Sequence, residues 1–155
     1  MPPIRPKCFF VALSAGWAVA IFAPSATIAA AGLSPLAAGR NLAAATIEVA
    51  DEVAPAAKLG FALVFAVLLY VRRRWTRVPA LPADMLIGGV AMLATLALLP
   101  EPWSRGFGIG LAGDRFDPIL LAVYFLGGAL AGLAFRLAET RCLRRDPADD
   151  RPSAA

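Results

Sequence analysis

The chain has 155 residues, 59% of them hydrophobic and 17% charged, and its mean hydropathy of +0.69 is too apolar for a soluble domain of this size. Its formal net charge of +4 comes from basic residues gathered at the ends of apolar runs, without interleaved stacking aromatics, which argues for lipid headgroups and against nucleic acid as partners. Histidine is absent, so the commonest metal ligand and the usual general base are missing, and no metal or cofactor is expected.

A basic head over residues 1–7, containing Arg5 and Lys7, precedes the first apolar stretch, residues 8–31. At about 1.5 Å per residue such a stretch crosses a hydrocarbon core about 30 Å thick. It ends in Ile28-Ala29-Ala30-Ala31-Gly32, a small-residue run that also suits a signal peptidase, so a cleaved leader is the rival reading. The apolar part exceeds an ordinary signal core, and a retained helix, kinked at Pro24, is expected.

Residues 32–52 form the first outer loop. Within it Leu42, Ala45, Val49 and Val53 recur at near-helical spacing while Glu48, Asp51 and Glu52 lie elsewhere on the wheel. This pattern predicts a short amphipathic helix on the membrane surface, with a solvated connector as the alternative.

The second span is expected over residues 53–71, with Lys58 close enough to its outer end to snorkel. The run Arg72-Arg73-Arg74-Trp75-Thr76-Arg77 follows. An arginine at the bilayer centre costs roughly 2.5 to 3.5 kcal/mol, so the run marks a membrane face and opens an inner loop over residues 72–82. Pro79 and Pro82 break the chain before a third span over residues 83–99. An outer loop, residues 100–117, leads to a fourth span, residues 118–137, whose Arg136 can snorkel inward. The tail, residues 141–155, is polar and proline-bearing, and its end is expected to be disordered.

These elements add up to an all-α membrane protein, a four-helix transmembrane bundle with both termini cytoplasmic and one membrane domain over residues 8–140. The positive-inside bias places Arg72, Arg73, Arg74, Arg77, Arg144 and Arg145 as inner-face anchors, with Arg5, Lys7 and Arg141 beside them. The bacterial inner membrane is the expected location. Cys8 before the first apolar run and Cys142 after the last would then both face a reducing compartment as free thiols.

Candidate chemistry is sparse. No ionisable residue falls at the middle of an expected span, which disfavours a pump or antiporter acting alone. Asp84, just after Pro82, reads as a helix N-cap or first-turn acid. Gly108-Ile109-Gly110-Leu111-Ala112-Gly113 fits GxGxxG, yet it lies in an outer loop without the strand that dinucleotide binding requires. Gly127, Gly128 and Gly132, with Gly88 and Gly89, let the last two helices approach closely, within one chain or between two copies. Arg105, Asp114, Arg115 and Asp117 in the second outer loop could hold a phosphate or carboxylate headgroup, or form a solvated loop whose ion pairs are worth roughly 0 to 1 kcal/mol. No acid has a visible activating partner, so no catalytic residue is assigned and the chain is not expected to be an enzyme. A lipid-phosphate enzyme using Asp114 or Asp117 as base is the weakest of the readings.

The stretch Gly113-Asp114-Arg115-Phe116-Asp117-Pro118, running on to Gly127-Gly128-Ala129-Leu130-Ala131-Gly132, resembles the last motif of VanZ-like membrane proteins. In that family an outer loop with a Gly-Arg pair and an Asp enters a final helix with glycines several residues on, and Arg115, Asp117 and Gly127 match this layout. Leu120 and Tyr124 stand where the family carries an Asp and an Asn, and the family's histidine before the second span has no counterpart. The resemblance implies a cell-envelope protein without an established catalytic mechanism; the outer Arg/Asp set and the absence of central ionisable residues suggest a non-catalytic protein that engages a lipid-linked or envelope partner through its outer loops. In that family some members are linked to reduced glycopeptide susceptibility, which a chain lacking most of the motif does not inherit. A structural or anchoring subunit of a larger membrane complex or transporter is the alternative.

Overall fold

A computed structural model describes residues 5–35, 38–53, 55–73, 80–98 and 118–145. These form five helices: α1 (Pro6–Ala30), α2 (Leu42–Glu52), α3 (Pro55–Arg72), α4 (Ala80–Leu98) and α5 (Pro118–Arg145). All but α2 are long and apolar enough to cross a membrane, and no strand occurs among the described residues.

α1 starts with Pro6 in its first turn, where a missing N–H costs nothing, and continues through Pro24. The proline ring lies against Gly127 of α5, where an added Cβ would sit 2.8 Å from Pro24 Cδ. Close by, the Ser25 hydroxyl donates to the Ile21 carbonyl (2.7 Å) and the Thr27 hydroxyl to the Ala23 carbonyl (3.0 Å), so both hydroxyls are satisfied within the apolar helix. The helix is closed off just past its end by Gly32, at φ 65°, where the Leu33 N–H bonds the Ile28 carbonyl and the Gly32 N–H that of Ala29.

The expected short amphipathic helix forms as α2. Asn41 caps it, its side chain accepting from the Ala44 N–H at 2.9 Å, and Ala45 and Val49 turn inward while Leu42 stays exposed. Its polar face carries an Arg40–Glu48 ion pair. α2 packs on α1, and Val53 closes the apolar contact just past its end.

α3 shows why these helices read as membrane spans. Ala57, Phe61, Phe65 and Leu69 are buried against the bundle, while Leu59, Leu63, Val67 and Tyr70, on the other side, are exposed and equally apolar. A helix apolar on both faces needs a hydrocarbon solvent on the outer one.

The bundle is built on two long interfaces, α1 with α5 and α4 with α5. At the second, Gly88 packs on Gly128 and Gly132 on the backbone of Asp84, so that a methyl group at any of the three would overlap the facing helix. Gly89 makes room for the Phe125 ring. The small-residue stripe is therefore used within the chain. At the α1 interface Gly16 plays the same part, an added Cβ there lying 2.9 Å from Phe65 Cε1 and 3.0 Å from the Ala131 carbonyl.

Four expectations need correction. α4 begins at Ala80, so Pro82 sits inside its first turn and Asp84 lies beyond that turn; the carboxylate is no N-cap. α5 runs to Arg145, past the expected end of the span and into the expected tail. Its 28 residues reach roughly 42 Å, which carries its last turns out of a core about 30 Å thick. Arg72 and Arg73 do not fan out to headgroups but fold into ion pairs with the bundle. Finally, Cys8 and Cys142 are joined in a disulfide, with Cα atoms 5.5 Å apart, in place of two free thiols.

Candidate functional site

Two places gather polar or open features, at opposite ends of the bundle. The first is where α1 begins, α3 ends, α4 begins and α5 ends. Arg72 Nη1 donates to Asp84 Oδ1 at 2.5 Å. Arg73 pairs with Glu139, which also accepts from Arg136 Nη1 at 3.1 Å, one helical turn earlier on α5. The Arg73 guanidinium lies 4.9 Å from the centroid of the Phe9 ring, and that ring meets Phe135 edge-on. Asp84 is fully buried, and its second carboxylate oxygen has no hydrogen-bond partner among the described residues. Three arginines thus face two carboxylates, leaving the cluster cationic, and the Cys8–Cys142 bridge sits beside it.

A carboxylate buried in hydrocarbon is tolerated only when paired, and this explains why the arginines turn inward. Arg72 and Arg73 end α3 directly opposite the first turns of α4 and the last of α5, so a short reach neutralises both acids. The cluster ties α3 to α4 and α5 through ion pairs and to α1 through Arg73 over the Phe9 ring. It offers no nucleophile poised beside a base, and no group of three or more potential metal ligands occurs among the described residues.

The second place is a narrow apolar crevice at the other end, with about 20 Å³ of free space, bordered by α1, α2, α3, α4 and α5. Ala20, Pro24, Ile28, Phe61, Met92 and Tyr124 line it, and Lys58 is the single charged residue on its wall. Lys58 has no ion-pair partner among the described residues. Its backbone is held in place by Trp17, whose indole Nε1 donates to the Lys58 carbonyl at 2.9 Å. The crevice has the lining of a site for an apolar ligand, but its free space is about that of a water molecule, so its walls must part before one enters.

Of the residues singled out in the sequence, Gly88, Gly89, Gly127, Gly128 and Gly132 all lie at helix contacts. Arg144 and Arg145 occupy the last turn of α5, exposed and well placed against the helix dipole. Arg105, Asp114, Arg115, Asp117, Arg74 and Arg77 lie outside the described residues. Sequence reasoning missed Glu139, Trp17 and the cysteine pair. Glu139 carried a usable signal, an acid three residues after Arg136 on an otherwise apolar helix. Trp17 carried none, because its partner is a backbone carbonyl. No family model matches the chain, and no curated protein or solved structure matches it.

Proposed function

We propose that this chain is a non-catalytic, multi-pass protein of the bacterial inner membrane that receives the apolar chain of a lipid-linked cell-envelope partner. One observation carries the reading: the crevice beneath α2, apolar along its length and bearing a lone lysine. A narrow apolar seam between membrane helices can part to admit a hydrocarbon chain from the surrounding lipid, and one lysine on its wall favours an amphiphile with an anionic head. The likeness of its last loop and helix to VanZ-like proteins agrees with an envelope role. Recognition of the headgroup falls to the outer loops, and Arg105 and Arg115 are its natural donors.

The test is photocrosslinking in reconstituted vesicles, using a polyprenyl phosphate and a neutral polyprenol that carry the same photoreactive group. The phosphate probe should label peptides around residues 20–28 and 57–61, with unlabelled polyprenyl phosphate competing. Lys58→Gln should reduce capture of the phosphate probe several-fold and leave the neutral probe unchanged. Labelling spread evenly over the outward positions Leu59, Leu63 and Leu126, without competition, would dispose of the reading.

A further inference from the structure

The disulfide sits where the charge pattern says one should not. Cys8 and Cys142 join the start of α1 to the end of α5, next to Arg73, Arg136 and Glu139 and within the same turns as Lys7, Arg141, Arg144 and Arg145. The positive-inside bias turns this basic end toward the cytoplasm, where a glutathione- and thioredoxin-poised pool keeps ordinary cysteines reduced. Structure and charge pattern are reconciled if the bridge is not permanent. We propose that Cys8–Cys142 is a reversible thiol–disulfide site, open in the resting cell and closed under oxidation, which clasps α1 to α5 only in its oxidised state.

The local chemistry suits exchange. Cys142 is half-buried and reachable, whereas Cys8 is 2% exposed. The thiolate of an incoming dithiol reductant therefore attacks Cys142 Sγ, and the Cys142–Cys8 bond breaks with Cys8 leaving as thiolate. That leaving group lies in the first turn of α1, where the positive end of the helix dipole favours a thiolate. The second thiolate of the reductant then attacks its own sulfur in the mixed disulfide and releases Cys142. Two electrons and two protons pass to the chain, the cysteines end as thiols and the reductant ends as a disulfide. Closure is the reverse, with a low-molecular-weight or protein disulfide accepting the electrons.

The neighbouring contacts hold the two thiols within bridging distance when the bridge is open. Arg73 pairs with Glu139, less than one turn before Cys142, while its guanidinium covers the ring of Phe9, the residue after Cys8. Gly16 against Ala131 and Gly127 against Pro24 keep α1 on α5 further along. The bridge can thus open and re-form without the helices parting.

The experiment uses the full chain in a bacterial host. Cells are quenched in acid and free thiols are alkylated with a polyethylene-glycol maleimide, so that each thiol retards the chain on a gel. Two shifts are expected in unstressed cells, none after treatment with diamide, and two again once the oxidant is removed. The Cys8→Ser and Cys142→Ser chains should each keep their one shift after diamide, once mixed disulfides with small thiols are excluded by the chain's mass, which assigns the loss of both shifts in the wild type to the pair. A bridge already closed in unstressed cells would be a permanent brace, and thiols that remain free under diamide would not be a pair in the membrane. Either result overturns the proposal.

Discussion

Arg72 reaches Asp84 across the end of the α3–α4 hairpin at 2.5 Å, and of the two only Asp84 is fully buried. The arginine side chain keeps 19% of its surface exposed. This asymmetry gives the first prediction. Arg72→Met strands a carboxylate that has no route to water and should cost about 3 kcal/mol or more. Asp84→Asn should cost clearly less, because a released arginine can turn to headgroups. Thermal unfolding in a mild detergent should rank wild type first, Asp84→Asn next and Arg72→Met last; equal losses would mean that Asp84 finds another partner.

The α4–α5 contact is made backbone to backbone at Gly88, Gly128 and Gly132. No flexible side chain is available there to give way, so Gly132→Ala must push the helices apart, at about 3 kcal/mol or more. Leu130→Ala, two residues away and facing outward, should be close to neutral. Yield of monodisperse protein and its melting temperature would separate the two.

Phe65 stacks near Phe61 at 5.2 Å between ring centroids and meets Phe135 edge-on at 5.9 Å, fully enclosed by α1 and α5. Phe65→Ala should cost roughly 2 to 4 kcal/mol through lost packing. Leu63→Ala on the outward face should cost little, since lipid fills the space as readily as a methyl group did. Reversible unfolding in mixed micelles compares them directly.

Closing the Cys8–Cys142 bridge ties residues 134 positions apart. Reduction of the oxidised protein in detergent should lower its stability by about 2 to 4 kcal/mol, and the Cys8→Ser chain should melt at one temperature with or without reductant. A reductant effect that persists in Cys8→Ser would assign it to something other than this bridge.

Much of the architecture was legible because it depends on local sums. Residues 8–31, 53–71, 83–99 and 118–137 announce spans through their length and apolarity alone, and α1, α3, α4 and α5 follow them closely. Arg72 to Arg77 marks an end for the same reason, since an unpaired arginine cannot enter hydrocarbon. The glycine contacts were legible too, because small residues at four-residue spacing have few other uses in such helices. The boundaries slipped where a single residue was read as a breaker, at Pro82, or where charge was read as loss of helix, beyond Leu137.

What the sequence determined by itself is therefore the solvent of each segment: which runs lie in lipid and which ends lie in water. Which face of each helix meets a neighbour was decided only in the tertiary structure. Lipid solvates an apolar side chain as well as another helix does, so α1 and the first part of α5, residues 118–135, are apolar all round and their periodicity carries little information about packing. The pairing of Asp84 with Arg72, of Glu139 with Arg73 and of Cys8 with Cys142, and the crevice between the helices, depend on helix rotation, which only side-chain fit at Gly16, Gly88, Gly128 and Gly132 sets.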